Sequence, residues 1–374
     1  MKVSFLLPLS GLLFCACTSS IPENNNGYDH GYIASSVNDE VLESAYQYWK
    51  RQNLVEEQNG MFRISGDYFE ITVSEGIGYG MLLAAYHNDR ESFDGLFKYY
   101  KFYCTDEAYG LMAWRIENGS ISDPGSATDG DLDVVFSLLV AYQQWKEDYL
   151  LEAKQILNIL KEHYFIKCDG IWVMKPGGQF GGCNLTDLSY YTPGYFRVFA
   201  EVTEDPFWEE AADDTYILLS NAADGTTGLV PDWQSPSGIP GGLPPKNPMG
   251  YEYYYYDAAR VPFRMAIDYL WYGNKKSKRW CTTVSDFAGG IGAANIVNGY
   301  ELDGTPKGRY NSSVFVGGFG VSAMCNNQNL VDEFANRLIA IHNSGRDDSY
   351  FSLALRNIYF LVLSGKFQKP VILN

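Results

Sequence analysis

The sequence predicts an all-α fold made of helical hairpins, on three observations. About a dozen segments repeat apolar residues at helical spacing. Strand-like alternation is confined to short pieces, Met61–Ile64, Tyr68–Thr72 and Gly170–Met174. The helical segments are joined by Gly-, Pro- or Asn-containing turns with no linker between them, and short connections favour antiparallel neighbours. One closed ring of hairpins fits this pattern better than two domains. Periodicity alone does not separate a toroid from a solenoid, and no clean repeat is visible in the letters.

The elements follow in order. Val37–Asn53 carries Val41, Leu42, Ala45, Tyr48 and Trp49 on one stripe. Glu75–Asn88 and Ser92–Tyr103 form the next pair. Asp129–Lys146 places Leu132, Val135, Phe136, Leu139 and Tyr142 on one face. Leu150–His163, Ser189–Glu201, Pro206–Ala222, Pro262–Tyr272 and Ser277–Asn295 come next. Ser322–Asn326 is a weaker fragment, and Leu330–Ser344 and Tyr350–Gly365 close the series.

Residues 1–17 are read as a signal segment. Lys2 precedes an apolar run, Val3–Cys15, that is too short and too interrupted by Pro8 and Gly11 to span a bilayer. Its end, Phe14-Cys15-Ala16-Cys17, resembles a lipoprotein box, with Cys17 as the lipidated residue. Residues 18–31 then form a polar, Asn-rich tether, and residues 32–374 a single domain. The expectation is an exported lipoprotein of the outer membrane, touching the membrane only through that anchor. Five cysteines follow Cys17 (Cys104, Cys168, Cys183, Cys281 and Cys325), so at least one thiol stays free, and the pairing is left open.

A formal charge of −17 argues against a nucleic-acid partner, which would need a basic face. Aromatic residues make up 16% of the chain, and with the acidic excess they suggest a neutral, polar, stackable ligand. No cysteine pair has metal-ligand spacing and the four His residues stand far apart, so no metal or cofactor is expected.

Three segments concentrate chemistry. In Ser74-Glu75-Gly76-Ile77-Gly78-Tyr79-Gly80-Met81, glycines alternate through a helix start at a cost of roughly 1 kcal/mol each relative to Ala. That cost implies close approach of a ligand or a neighbouring helix. Glu75, hemmed by Tyr79, would lose solvent and hold its proton as a general acid must, although helix N-termini also favour a plain Glu. In Ala127-Thr128-Asp129-Gly130-Asp131-Leu132-Asp133, a Ca²⁺ loop would need Glu at its twelfth position, which is Val140. Asp129 and Asp131 are instead candidates for gripping sugar hydroxyls. In Tyr251–Arg264, Asp257 follows four tyrosines, with Arg260 and Arg264 after it to keep a carboxylate ionised as a general base. Two carboxylates in opposite protonation states are the minimal equipment for glycosidic hydrolysis.

Taken together these residues resemble glycoside hydrolase family 8. The Glu75 segment is similar to its general-acid motif, and Ala127–Asp131 running to Trp145 to its signature. Gly110–Trp114, Ser189–Phe196, Gly228–Trp233 and Tyr256–Arg264 resemble further family segments, in order along the chain. The resemblance implies an (α/α)6 barrel with an open cleft and an inverting mechanism. In it Glu75 would be the acid and Asp257 the base, about 6.5–9.5 Å apart. Asp129 would bind and help distort the sugar, Tyr190 and Arg260 would position water and base, and Trp114 would stack on a ring. Phe180 stands where cellulose-type members place Trp, so it offers a weaker stacking site.

The expected activity is an endo-β-1,4-glycanase acting on β-glucan, cellulose or xylan as a monomer. The alternatives are a reducing-end xylose-releasing exo-oligoxylanase and a non-catalytic glycan-binding lipoprotein. The exo branch carries a His-bearing loop, and the only His after Asp257 is His342, at a helix end. A lyase would need a basic cluster that the chain lacks.

Overall fold

The computed structural model describes residues 27–241 and 251–372; the signal segment 1–17 and most of the tether lie outside the described residues. The end of the tether belongs to the domain. Tyr28 is buried, its hydroxyl donates to Val362 O (3.0 Å), and Tyr32 N donates to Met324 O (2.9 Å). The folded unit therefore starts near Tyr28 instead of residue 32, because an aromatic ring in the Asn-rich stretch finds a buried seat.

Twelve α-helices form among the described residues: α1 (Asp39–Asn53), α2 (Ser74–Tyr86), α3 (Arg90–Phe102), α4 (Thr128–Trp145), α5 (Tyr149–His163), α6 (Pro193–Thr203), α7 (Phe207–Ala222), α8 (Val261–Tyr272), α9 (Lys275–Ile291), α10 (Ser313–Ala323), α11 (Gln328–Ser344) and α12 (Tyr350–Leu363). The even-numbered helices make an inner ring. Neighbours pack α2 on α4, α6 on α8, α8 on α10, α10 on α12 and α12 back on α2. Phe136 of α4 stacks on Tyr195 of α6, centroids 3.8 Å apart, across the remaining junction. Each odd-numbered helix backs the ring from outside, with α1 lying on α12. This closed double ring is an (α/α)6 barrel.

Position in the ring explains the sequence patterns. Outer helices such as α1 bury one stripe, Leu42, Ala45, Tyr46 and Trp49. Inner helices are covered on all sides, and every residue of α10 is buried. That is why only Ser322–Asn326 was expected there: a helix apolar all round has no 3.6-residue signal. The end of the expected Ser277–Asn295 helix is a separate turn, since α9 stops at Ile291 before Gly292 at φ +83°.

The alternating glycines of α2 serve helix packing. A Cβ on Gly78 would stand 2.7 Å from Gly130 O, and one on Gly130 would stand 2.6 Å from Ser74 C. Two backbones thus meet where α2 and α4 cross, which fixes the first turns of both helices relative to each other.

Short strands edge one end of the barrel. β1 (Leu54–Glu56) pairs with β2 (Phe62–Ile64). β3 (Ile71–Val73), β4 (Arg115–Glu117) and β5 (Ser120–Asp123) make an antiparallel sheet. β6 (Phe165–Cys168) and β7 (Ile171–Met174) make a hairpin, and Cys168 is bonded to Cys183. Cys104, Cys281 and Cys325 are free thiols. No described helix is long and apolar enough to cross a membrane.

Candidate active site

The candidate residues meet where the inner helices begin. β3 runs directly into α2, so Glu75 falls in the first turn of that helix, and Ser74 N donates to Trp114 O (3.0 Å). Asp129 lies in the first turn of α4. Tyr190 ends a 3₁₀ turn, Leu188–Tyr190, ahead of α6. Asp257 precedes the turn Ala258–Arg260 that leads into α8, and Tyr350 opens α12. Free N–H groups and the positive ends of several helix dipoles therefore face one spot, an environment that favours carboxylates.

Arg260, only 1% exposed, stands at the centre. Its Nη1 donates to Glu75 Oε2 (2.6 Å), Asp129 Oδ2 (2.6 Å) and Tyr79 Oη (3.3 Å). Its Nη2 donates to Asp257 Oδ1 (3.0 Å) and lies 3.8 Å from Asp187 Oδ2. The guanidinium also sits over the Tyr190 ring, 5.4 Å from its centroid. One rigid fork thus joins the first turns of α2 and α4 to the segments leading into α6 and α8, a job the fixed planar geometry of Arg suits. Glu75 and Asp257 hold opposite nitrogens of that fork, with Arg260 between them.

The two carboxylates differ in surroundings. Burial pushes Glu75 up to about 8; Asp129 and Asp257 add to the rise, while Arg260 and the Tyr350 hydroxyl, which donates to Oε1 (2.5 Å), oppose it. Burial also raises Asp257, but Arg260 and the Trp233 indole N–H, which donates to Oδ2 (2.9 Å), pull it back. At 31% exposure against 16%, Asp257 keeps more water than Glu75. Glu75 is the more enclosed of the two, so burial favours its protonated form the more strongly.

Beside the carboxylates opens a cavity of about 420 Å³ lined by Trp114, Phe180, Tyr190, Trp233, Ser126 and Pro176. Trp114 and Phe180 thus reach the cleft as the sequence suggests, and Phe180 is 45% exposed. A larger groove, about 590 Å³ between α7 and α9, holds no paired acids and is not the candidate site.

Asp131 does not reach the cleft. It is fully buried beneath Tyr100, whose hydroxyl donates to its Oδ1 (2.6 Å), and burial pushes its carboxyl up to about 8. Two residues along a helix turn through roughly 200°, so Asp129 and Asp131 face opposite ways. The tyrosine run also divides: Tyr254 is core, stacked on Phe319, while Tyr256 stays half-buried near the site.

Sequence reading missed four contributors: Asp187, Asp232, Trp233 and Tyr350. Asp232 is a buried acid inside the singled-out segment Gly228–Trp233, and Asp187 is one two residues ahead of Ser189–Phe196, so an Asp beside a candidate aromatic was the available signal. Tyr350 had none, because only closure of the ring brings α12 against α2.

Two carboxylates held on opposite nitrogens of one guanidinium, beside an aromatic-walled cavity at the mouth of an (α/α)6 barrel, are the equipment of a glycosidase of the acid–base type. The chain belongs to the glycosyl hydrolases family 8, whose family model matches residues 29–365. It is 35% identical over 345 residues to Endoglucanase 2 of Ruminiclostridium josui, covering 89% of this chain and 72% of that protein. It is 29% identical to Beta-glucanase of Niallia circulans, covering 97% and 94%. The apo structure of a beta-1,3-1,4-glucanase from Paenibacillus sp. X4 superposes with a TM-score of 0.82 at 25% identity, covering 91% of this chain and 96% of that one. The chain is therefore a glycosidase, and inversion is general to the family.

Proposed function

We propose that this protein hydrolyses internal β-1,4 bonds of a β-glucan with inversion, Glu75 acting as acid and Asp257 as base. The Glu75 proton passes to the glycosidic oxygen as the bond to the anomeric carbon breaks. A water attacks that carbon from the opposite face while Asp257 takes its proton, so each turnover leaves Glu75 ionised and Asp257 protonated until both exchange with solvent. Asp129 and Tyr190 grip and orient the sugar, and Trp114 and Phe180 stack on neighbouring rings. The observation that carries this reading is the single Arg260 fork holding Glu75 and Asp257 on opposite nitrogens. Two relatives named endoglucanase and beta-glucanase support glucan as the polymer.

A panel of carboxymethylcellulose, mixed-linkage β-glucan, xylan and chitosan tests it. Early release of long oligomers from the glucans is expected. Xylose released alone from xylan would instead indicate an exo enzyme.

Export and lipidation at Cys17 are proposed on Phe14-Cys15-Ala16-Cys17 alone. Radiolabelled palmitate should enter the wild-type chain and not Cys17→Ala; equal labelling of both would refute the anchor.

A further inference from the structure

The loop that carries Asp257 is gripped by two consecutive residues on another segment. Asp232 Oδ1 accepts from Tyr255 N (2.9 Å) and from Ala258 N (2.8 Å), the amides that bracket the base. Trp233 Nε1 donates to Asp257 Oδ2 itself. The backbone does the same: Asp232 N donates to Tyr253 O (2.9 Å) and Trp233 N to Tyr251 O (3.1 Å). Asp232 is 1% exposed and cannot reach a sugar, whereas the Trp233 ring walls the cleft next to Phe180, centroids 5.9 Å apart.

We infer that Asp232 and Trp233 are positioning residues for the base: Asp232 holds the loop, and Trp233 holds the carboxylate and keeps it ionised. This rests on Asp257 being the base. A carboxylate oxygen bonded to an indole N–H is fixed in rotamer, leaving its other oxygen to Arg260. Water must be met at one angle for in-line attack, so a loosened carboxylate loses rate before it loses substrate binding. The charged and titratable groups facing Asp257 are Arg260, Glu75, Asp129, Asp187, Asp232, Tyr190 and Tyr251. Of these only Arg260 is cationic, so the indole donor is the other support for the ionised base.

The test is steady-state kinetics across pH on soluble mixed-linkage glucan, with wild type, Asp232→Ala, Asp232→Asn and Trp233→Phe, each checked by thermal melting. Asp232→Ala should lower kcat by about tenfold with KM within about twofold, since two amides lose their acceptor. Asp232→Asn keeps an acceptor oxygen and should recover most of that rate. Trp233→Phe keeps an aromatic wall but loses the donor, so the acidic limb of the kcat profile should move to higher pH. Wild-type kcat and an unmoved acidic limb in folded Asp232→Ala and Trp233→Phe would overturn the proposal. If Asp232→Ala does not fold, the limb in Trp233→Phe decides alone. A wild type inactive on the whole polymer panel refutes the functional reading instead, so the two failures are distinguishable.

Discussion

At the scale of single residues, the account rests on how one guanidinium divides its bonds. Glu75 and Asp257 share Arg260 but differ in burial and in hydrogen-bond donors, and burial favours a proton on Glu75, the proposed acid. Catalysis needs that proton present, so rate should fall as pH rises through about 8, where Glu75 loses it. With Asp257 as the proposed base, the acidic limb belongs to its carboxyl, and rate should fall as pH drops far enough to protonate it. A bell-shaped kcat profile with its alkaline limb near 8 is the expected result. Glu75→Gln and Asp257→Asn should each reduce kcat by roughly 10²–10⁴-fold, as loss of a general acid or base does. Glu75, Asp129 and Asp257 were legible in the sequence because each opens a helix beside glycines or tyrosines that make no sense as plain core. Asp131 was misread because alternate acids look alike in letters, and only the helix turn separates them. Trp233 closes the family-like segment Gly228–Trp233, but its letters give it no role, and Tyr350 is illegible as a site residue because its partner Glu75 lies 275 positions away.

At the scale of elements, the ring is held by contacts that also aim the site. Arg264, one turn beyond Arg260 on α8, makes a bidentate pair with Asp133 of α4, 2.6 Å at each nitrogen, with both residues buried. Arg264→Met would leave a lone buried carboxylate, a change that costs about 3–5 kcal/mol. Because isolated Asp133 takes up a proton more readily, the loss measured by denaturant unfolding should be smaller at pH 5 than at pH 8. Gly130→Ala brings a methyl within 2.8 Å of Glu75 N, so α2 and α4 must part. Roughly 1–3 kcal/mol of stability should go with it, together with activity, since Glu75 and Asp129 ride on the separated turns. The outer helices could be read from their stripes, and the inner ones less well. α4 is legible from the face Leu132, Val135, Phe136, Leu139 and Tyr142, and α2 and α12 from apolar residues at helical spacing. α10 was nearly lost, because complete burial erases the periodicity on which the reading depends.

At the scale of the whole molecule, the barrel converts local helix starts into one cleft. Six inner helices begin near the same mouth, so residues distant in sequence become neighbours. The hairpin β6–β7 and the Cys168–Cys183 bond, a separation of 15 residues, fix the segment that presents Phe180 to the cleft. Constraining a loop of that length contributes about 3 kcal/mol in the chain-entropy view. Reduction, or Cys183→Ser, should therefore lower the melting temperature and raise KM for long oligomers while leaving kcat nearly intact. The all-α class and about a dozen helices are readable from spacing, whereas closure into an (α/α)6 ring is legible through the family resemblance, since α12 meets α2 through contacts that no local pattern encodes. The central claim is that Glu75 and Asp257 act on opposite faces of the sugar. Proton NMR of the first reducing ends released from mixed-linkage β-glucan tests it most directly. The α-anomer should appear first and then mutarotate; β-anomer at the earliest time would contradict the mechanism.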